Sequence, residues 1–215
     1  MAKRKTSSEG TAGSGKAPAG RADKPKPNAG SVKKTEAVYQ LKITLRDIRP
    51  PIWRRVQVKD CTLAELHEVI QVAMGWESYH LYSFTVGGVD YGDRDMTGDE
   101  LDMKDVRRAR LSRLVRGEKF KFRYTYDFGD NWEHEIAVEK LLPPERGKTY
   151  PVCVDGKRAG PPEDVGGVWG FMEFVEAMRD PAHPQHRELA DWYEDPFDPE
   201  AFDIDEVNRQ LARRG

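Results

Sequence analysis

Three short groups of residues have the types and spacing to do chemistry. Asp127, Asp130 and His134 fall within eight positions and offer oxygen and nitrogen donors to a divalent metal, with Glu163 and Asp164 available to join them. Each also has a structural reading. Asp130 and Asn131 are ordinary turn formers, His134 shares an apolar face with Trp132 and Ile136, and Asp127 belongs to the opposite face of that strand. Glu163 and Asp164, set between Pro162 and Gly166, are either a cap for the helix that follows, whose positive end favours anions, or part of a binding site. His183 and His186 have i, i+3 spacing, but Pro184 between them points to a loop or helix start with exposed histidines.

A hairpin must position the first group. In KFKFRYTYDFGDNWEHEIAVEK, residues 119–140, Phe120, Phe122, Tyr124, Tyr126 and Phe128 alternate with polar residues, which is the period of a strand. After Gly129-Asp130-Asn131 the alternation resumes with Trp132, His134, Ile136 and Val138 against Glu133, Glu135 and Glu139. Lys and Arg of the first strand then face Glu of the second, worth roughly 0.2–1 kcal/mol per cross-strand pair.

The second group sits in a loop dense in Pro and Gly, residues 160–170, whose glycines permit close backbone approach. A helix with Phe171, Phe174, Val175 and Met178 on one face follows and stops at Asp180-Pro181. A second helix carries Leu189, Trp192 and Tyr193, and Asp203–Glu206 starts a third. Fourteen acidic residues against Arg179 and Arg187 between Glu163 and Glu206 make this lobe unsuited to DNA.

Upstream, Tyr39, Leu41, Ile43 and Leu45 mark one strand and Ile52–Val58 a second, with Arg49-Pro50-Pro51 between them. Thr62 and Glu65 form a capping box ahead of an amphipathic helix that Gly75 ends, and a short strand from His80 to Val86 closes at Gly87-Gly88. Lys104–Arg123 is a basic band, nine Lys or Arg against Asp105 and Glu118, read either as an internally paired face or as a phosphate surface.

The expected fold is α+β, a mixed sheet crossed by one helix in the manner of a β-grasp, with an acidic helical lobe at the C-terminus. Residues 35–142 form the sheet core, and residues 143–215, the loop and helices, pack on it as one domain. Residues 1–34 carry nine Lys or Arg against Glu9 and Asp23 and almost no large apolar side chains. They read as a disordered basic tail that solubilises the chain or touches nucleic acid without sequence preference. Two cysteines, no CxxC and no apolar run of about 20 residues exclude a disulfide scaffold and a membrane-spanning helix, and the basic N-terminus lacks the apolar core of a secretory signal, so the cytoplasm is expected.

The runs YTYDFGDNWEHEIAVEK, YPVCVDGKRAGPPEDVGGVWGFMEF and DPFDPEAFDIDEVNRQL resemble the Ri-plasmid ORF-three-like family, plasmid- and transposon-associated bacterial proteins, some of which carry a TnpR resolvase label. The likeness covers about residues 36 to 212, and its motifs YDFGDxWxH and PPEDxGG occur together and in order. The resolvase label implies a nucleophilic serine beside clustered arginines, and the folded body shows no such arrangement. Family members often carry cysteines around PPED. Here only Cys153 keeps a thiol, with Gly160 and Val165 at the matching positions, so a thiolate zinc site is not expected.

Together these readings point to a non-catalytic binding or accessory module with a protein or nucleic-acid partner and no resident cofactor. Its recognition groove lies between the hairpin and the PPED loop: Tyr126, Asp127, Asp130, Asn131, Trp132 and His134 on one side, Glu163, Asp164, Gly166 and Gly167 on the other, with Trp132 or His134 at its floor. The alternative is a metal-dependent hydrolase or nuclease using Asp127, Asp130 and His134 with Glu163 and Asp164.

Overall fold

Alternating side chains dictate a sheet with one buried face, and the computed structural model, which describes residues 33–97 and 102–214, has one. Its strands are β1 (Val38–Leu45), β2 (Trp53–Val58), β3 (Tyr82–Val86), β4 (Val89–Gly92), β5 (Lys104–Asp105), β6 (Lys121–Tyr126), β7 (Trp132–Leu142) and β8 (Val152–Lys157). They lie in the order β5-β4-β3-β6-β7-β1-β2-β8. Every pairing is antiparallel except β4 with β5, which makes the sheet mixed. The α+β class therefore stands, while nothing in this strand order singles out a β-grasp.

One face carries Tyr39, Leu41, Ile43, Phe84, Phe122, Tyr124, Tyr126, Trp132, His134, Ile136 and Val138, all buried. The other is polar and paired: Arg55 binds Glu139 at 2.6 Å, Lys121 binds Glu135 at 2.8 Å, and the Lys42 ammonium lies 4.7 Å from the Trp53 ring centroid. An antiparallel sheet with one solvated face has this pattern.

Helix α1 (Leu63–Met74) covers the buried face. The Thr62 hydroxyl accepts from the Glu65 amide while the Glu65 carboxylate accepts from the Thr62 amide, and Gly75 closes the helix at φ 88°. His67 and Gln71 project from α1 onto the Tyr124 hydroxyl at 2.8 and 2.9 Å. Gly87 and Gly88, at φ 61° and 82°, make a two-residue turn into β4, a strand the sequence reading had not placed.

Between β5 and β6, after a 3-10 turn, comes the one-turn helix α3 (Leu111–Leu114), preceded in the chain by α2 (Arg94–Thr97). In the basic band some of the side chains pair internally: Arg107 engages Asp93, Asp95 and Asp105, and Arg110 binds Asp60 at 3.1 Å. The C-terminal helices are α4 (Gly167–Arg179), α5 (His186–Tyr193) and α6 (Ile204–Arg214). Trp132 meets Phe171 of α4 edge to face, and Asn208 of α6 bonds β8 through both amide atoms, accepting from Cys153 N at 2.7 Å and donating to Cys153 O at 2.9 Å.

The basic-tail expectation falls mostly outside the described residues. Lys33 and Lys34 are the exceptions: Lys33 lies 3.7 Å from Glu36, and the Lys34 ammonium donates to the Val115 carbonyl at 2.7 Å, which ties that lysine to the folded body. Among the described residues no helix is long and apolar enough to cross a membrane.

Candidate functional site

The aromatic alternation ends at Tyr126, two residues earlier than expected. β6 stops at Tyr126, and Asp127 takes φ 53°, which removes it from the strand and from the polar face. Its carboxylate turns inward, is almost fully buried, and accepts from Gly129 N at 2.8 Å, while its carbonyl accepts from Asn131 N at 2.6 Å. Phe128 consequently leaves the core and stands 40% exposed in the turn.

The PPED loop is pinned to this turn and to the end of α1. The Trp76 indole donates to the Pro161 carbonyl at 2.9 Å. Gly160 passes so close to α1 that an added Cβ would lie 2.1 Å from the Met74 oxygen. Gly166 N donates to the Asp130 carboxylate at 3.1 Å, and Gly167, φ 68°, abuts the Asp130 carbonyl. The turn and the loop thus touch. Their acids do not cap α4, whose N-cap is Gly166 with no side-chain cap bond.

Glu163 instead reaches into the gap. Its Oε1 accepts from the Tyr126 hydroxyl and from Glu77 N, each at 2.9 Å. Burial, and then this bond to the carboxylate, raise the Tyr126 phenol well above its ordinary range. The Tyr126 hydroxyl in turn accepts from Tyr79 N at 3.2 Å.

That link brings in a residue no sequence pattern flagged, His80, in the segment between α1 and β3. Its Nε2 lies 3.2 Å from Asp164 Oδ1, 3.8 Å from Asp127 Oδ2 and 3.9 Å from Glu163 Oε2. The Asp164 approach does not meet hydrogen-bond angles, and His80 Nε2 and Glu163 Oε2 are both buried without a hydrogen-bond partner. Among the described residues, His80, Asp127 and Asp164 form a group whose donor atoms all lie within 4.8 Å of one another.

The expected ligand trio is corrected accordingly. His134 is fully buried beneath α1, its Nδ1 donating to the Trp132 carbonyl at 2.9 Å, and burial lowers its pKa to about 4. Trp132 is also fully buried, so neither forms a groove floor open to a ligand. Asp130 is spent on the PPED loop. His183 accepts from Gln185 N at 3.3 Å and His186 bonds the Ala177 carbonyl at 2.7 Å, so these two serve the entry to α5.

A family model described as plasmid pRiA4b ORF-3-like protein matches residues 37–206. The chain is 40% identical over 178 residues to the uncharacterized protein y4hQ of Sinorhizobium fredii, covering 81% of this chain and 91% of that protein. The crystal structure of MM3350 from Methanosarcina mazei Go1, titled a protein of unknown function, matches with a TM-score of 0.72 at 41% identity, covering 80% of this chain and 98% of that one.

Proposed function

The chain belongs to the plasmid pRiA4b ORF-3-like family, and on that premise we propose that it is a binding module whose working surface is the groove between the hairpin turn and the PPED loop, suited to a positively charged group. One observation carries the reading: the Asp127, Glu163 and Asp164 carboxylates converge on His80 with, among the described residues, no Lys or Arg in ion-pair contact with them. A cluster of carboxylates without a basic partner makes a negative patch that attracts cations.

Three exposed aromatics belong to the same segments: Tyr79 beside His80, Phe128 beside Asp127 and Trp169 in the first turn of α4, at 64%, 40% and 81% exposure. Aromatic faces next to carboxylates suit cationic ligands. Nucleophilic chemistry by the thiols is disfavoured, since burial raises both Cys61 and Cys153 away from the thiolate. A second reading, a metal-dependent hydrolase or nuclease, draws on the imidazole that joins the carboxylates.

A thermal-shift panel of divalent ions, polyamines and Lys/Arg peptides tests the binding reading. Wild type should be stabilised by at least one class, and Asp164→Asn, at an exposed position, should lose that response. Identical behaviour of wild type and Asp164→Asn toward every ligand would refute it.

A further inference from the structure

Resting on the groove reading and sharpening it, we infer that the groove is a divalent transition-metal site, with His80 Nε2, Asp127 Oδ2 and Asp164 Oδ1 as ligands and Glu163 Oε2 as the fourth. The donor set is one imidazole and three carboxylates, which suits Zn2+ or Mn2+ better than Ca2+, whose sites take oxygens alone.

The spacing agrees. Tetrahedral zinc with bonds near 2.1 Å separates its ligand atoms by about 3.4 Å. His80 Nε2 stands 3.2 Å from Asp164, 3.8 Å from Asp127 and 3.9 Å from Glu163, and the donor atoms of His80, Asp127 and Asp164 all lie within 4.8 Å of one another.

Acid clustering alone would not carry this. The independent observation is that two donor atoms facing the cluster, His80 Nε2 and Glu163 Oε2, are buried and lack any hydrogen-bond partner. Buried polar atoms are nearly always satisfied, and an ion that takes one lone pair from each satisfies both at once.

An outer layer holds the ligands in place. Gly129 N fixes Asp127 through Oδ1, while Tyr126 OH and Glu77 N fix Glu163 through Oε1, leaving in each case the other oxygen for the ion. Such second-layer bonds orient metal ligands in known sites. The Tyr126 hydroxyl donates to Glu163 and accepts from Tyr79 N, so it is engaged and does not compete as a ligand.

The test is titration of the chelator-treated full chain with Zn2+ and, for its visible absorption, Co2+. We expect one equivalent per chain and a Co2+ spectrum of a nitrogen/oxygen tetrahedral site without thiolate charge transfer. His80→Ala and Asp127→Asn should each weaken Zn2+ binding at least tenfold. Asp164→Asn, whose side chain is 67% exposed and so leaves the core intact, should weaken it as well. Cys61→Ser should change nothing. Absence of stoichiometric uptake, or uptake that survives both His80→Ala and Asp164→Asn in variants with wild-type circular dichroism, overturns the assignment. If Zn2+, Mn2+ and Co2+ all fail to bind while a polyamine or Lys/Arg peptide still stabilises wild type and not Asp164→Asn, the metal falls and the groove reading stands; if neither binds, both fall.

Discussion

Asp130 and Gly167 meet backbone to backbone: the Asp130 carbonyl oxygen lies 2.5 Å from where a Cβ on Gly167 would stand, with Gly167 at φ 68°. One glycine therefore lets the hairpin turn and the PPED loop close on each other. Gly167→Ala should cost about 1–3 kcal/mol from the left-handed backbone alone, and more from the clash. Urea denaturation measures it, and an unchanged midpoint would show that the two loops do not need this contact.

Two tryptophans flank the same region with opposite roles. Trp132 is fully buried, stacked near Trp76 at 6.3 Å and edge-on to Phe171 at 6.4 Å. Trp132→Ala should lose about 3–5 kcal/mol. Trp169 is 81% exposed, and Trp169→Ala should stay within about 0.5 kcal/mol while impairing ligand response in the groove. Equal stability losses for the two would contradict this division.

Buried histidines make stability depend on pH. Burial lowers His134 to about 4 and His67 to about 3, below the ordinary 6.5. The unfolded chain therefore takes up protons that the folded chain refuses: the stabilising contribution is complete above pH 6.5 and is lost as the pH falls toward 4. Each histidine should contribute a slope of roughly 1 kcal/mol per pH unit in that window. Denaturation midpoints at pH 7, 6 and 5 check this, with His67→Gln expected to flatten the curve; a flat wild-type profile would refute it.

The fold was legible in the sequence wherever a local rule governs it. The β6–β7 hairpin follows from period-two aromatics, the start of α1 from the Thr62–Glu65 box, and its end from Gly75. The hairpin turn and the PPED loop were both marked by their Gly, Pro and acids. Two parts of the site were not legible, for different reasons. Strict alternation puts Asp127 on the polar face, but it runs two residues past the end of β6, where a left-handed residue resets the direction of the side chain. His80 lies far in sequence from Asp127 and Asp164, in a short irregular link after a helix cap, and only the crossing of α1 over the sheet brings it beside them. The one local hint was that His80 follows Trp76 and Tyr79 in a link too short to wander from the sheet. His134 failed as a ligand because, in a strand, sharing a face with Trp132 and Ile136 means sharing their burial.

The amide of Asn208, which both accepts from and donates to the backbone of Cys153 on β8, stands in for a ninth strand. It occupies the amide and carbonyl of Cys153, which another chain would need to pair with β8 there, and at the opposite edge β5 offers only two residues, Lys104 and Asp105. A side chain bonded at one end and a two-residue strand at the other shorten the edges open to strand addition. Substituting Asn208 with Leu would free the Cys153 amide and carbonyl, so Asn208 guards part of that edge as well as tethering α6.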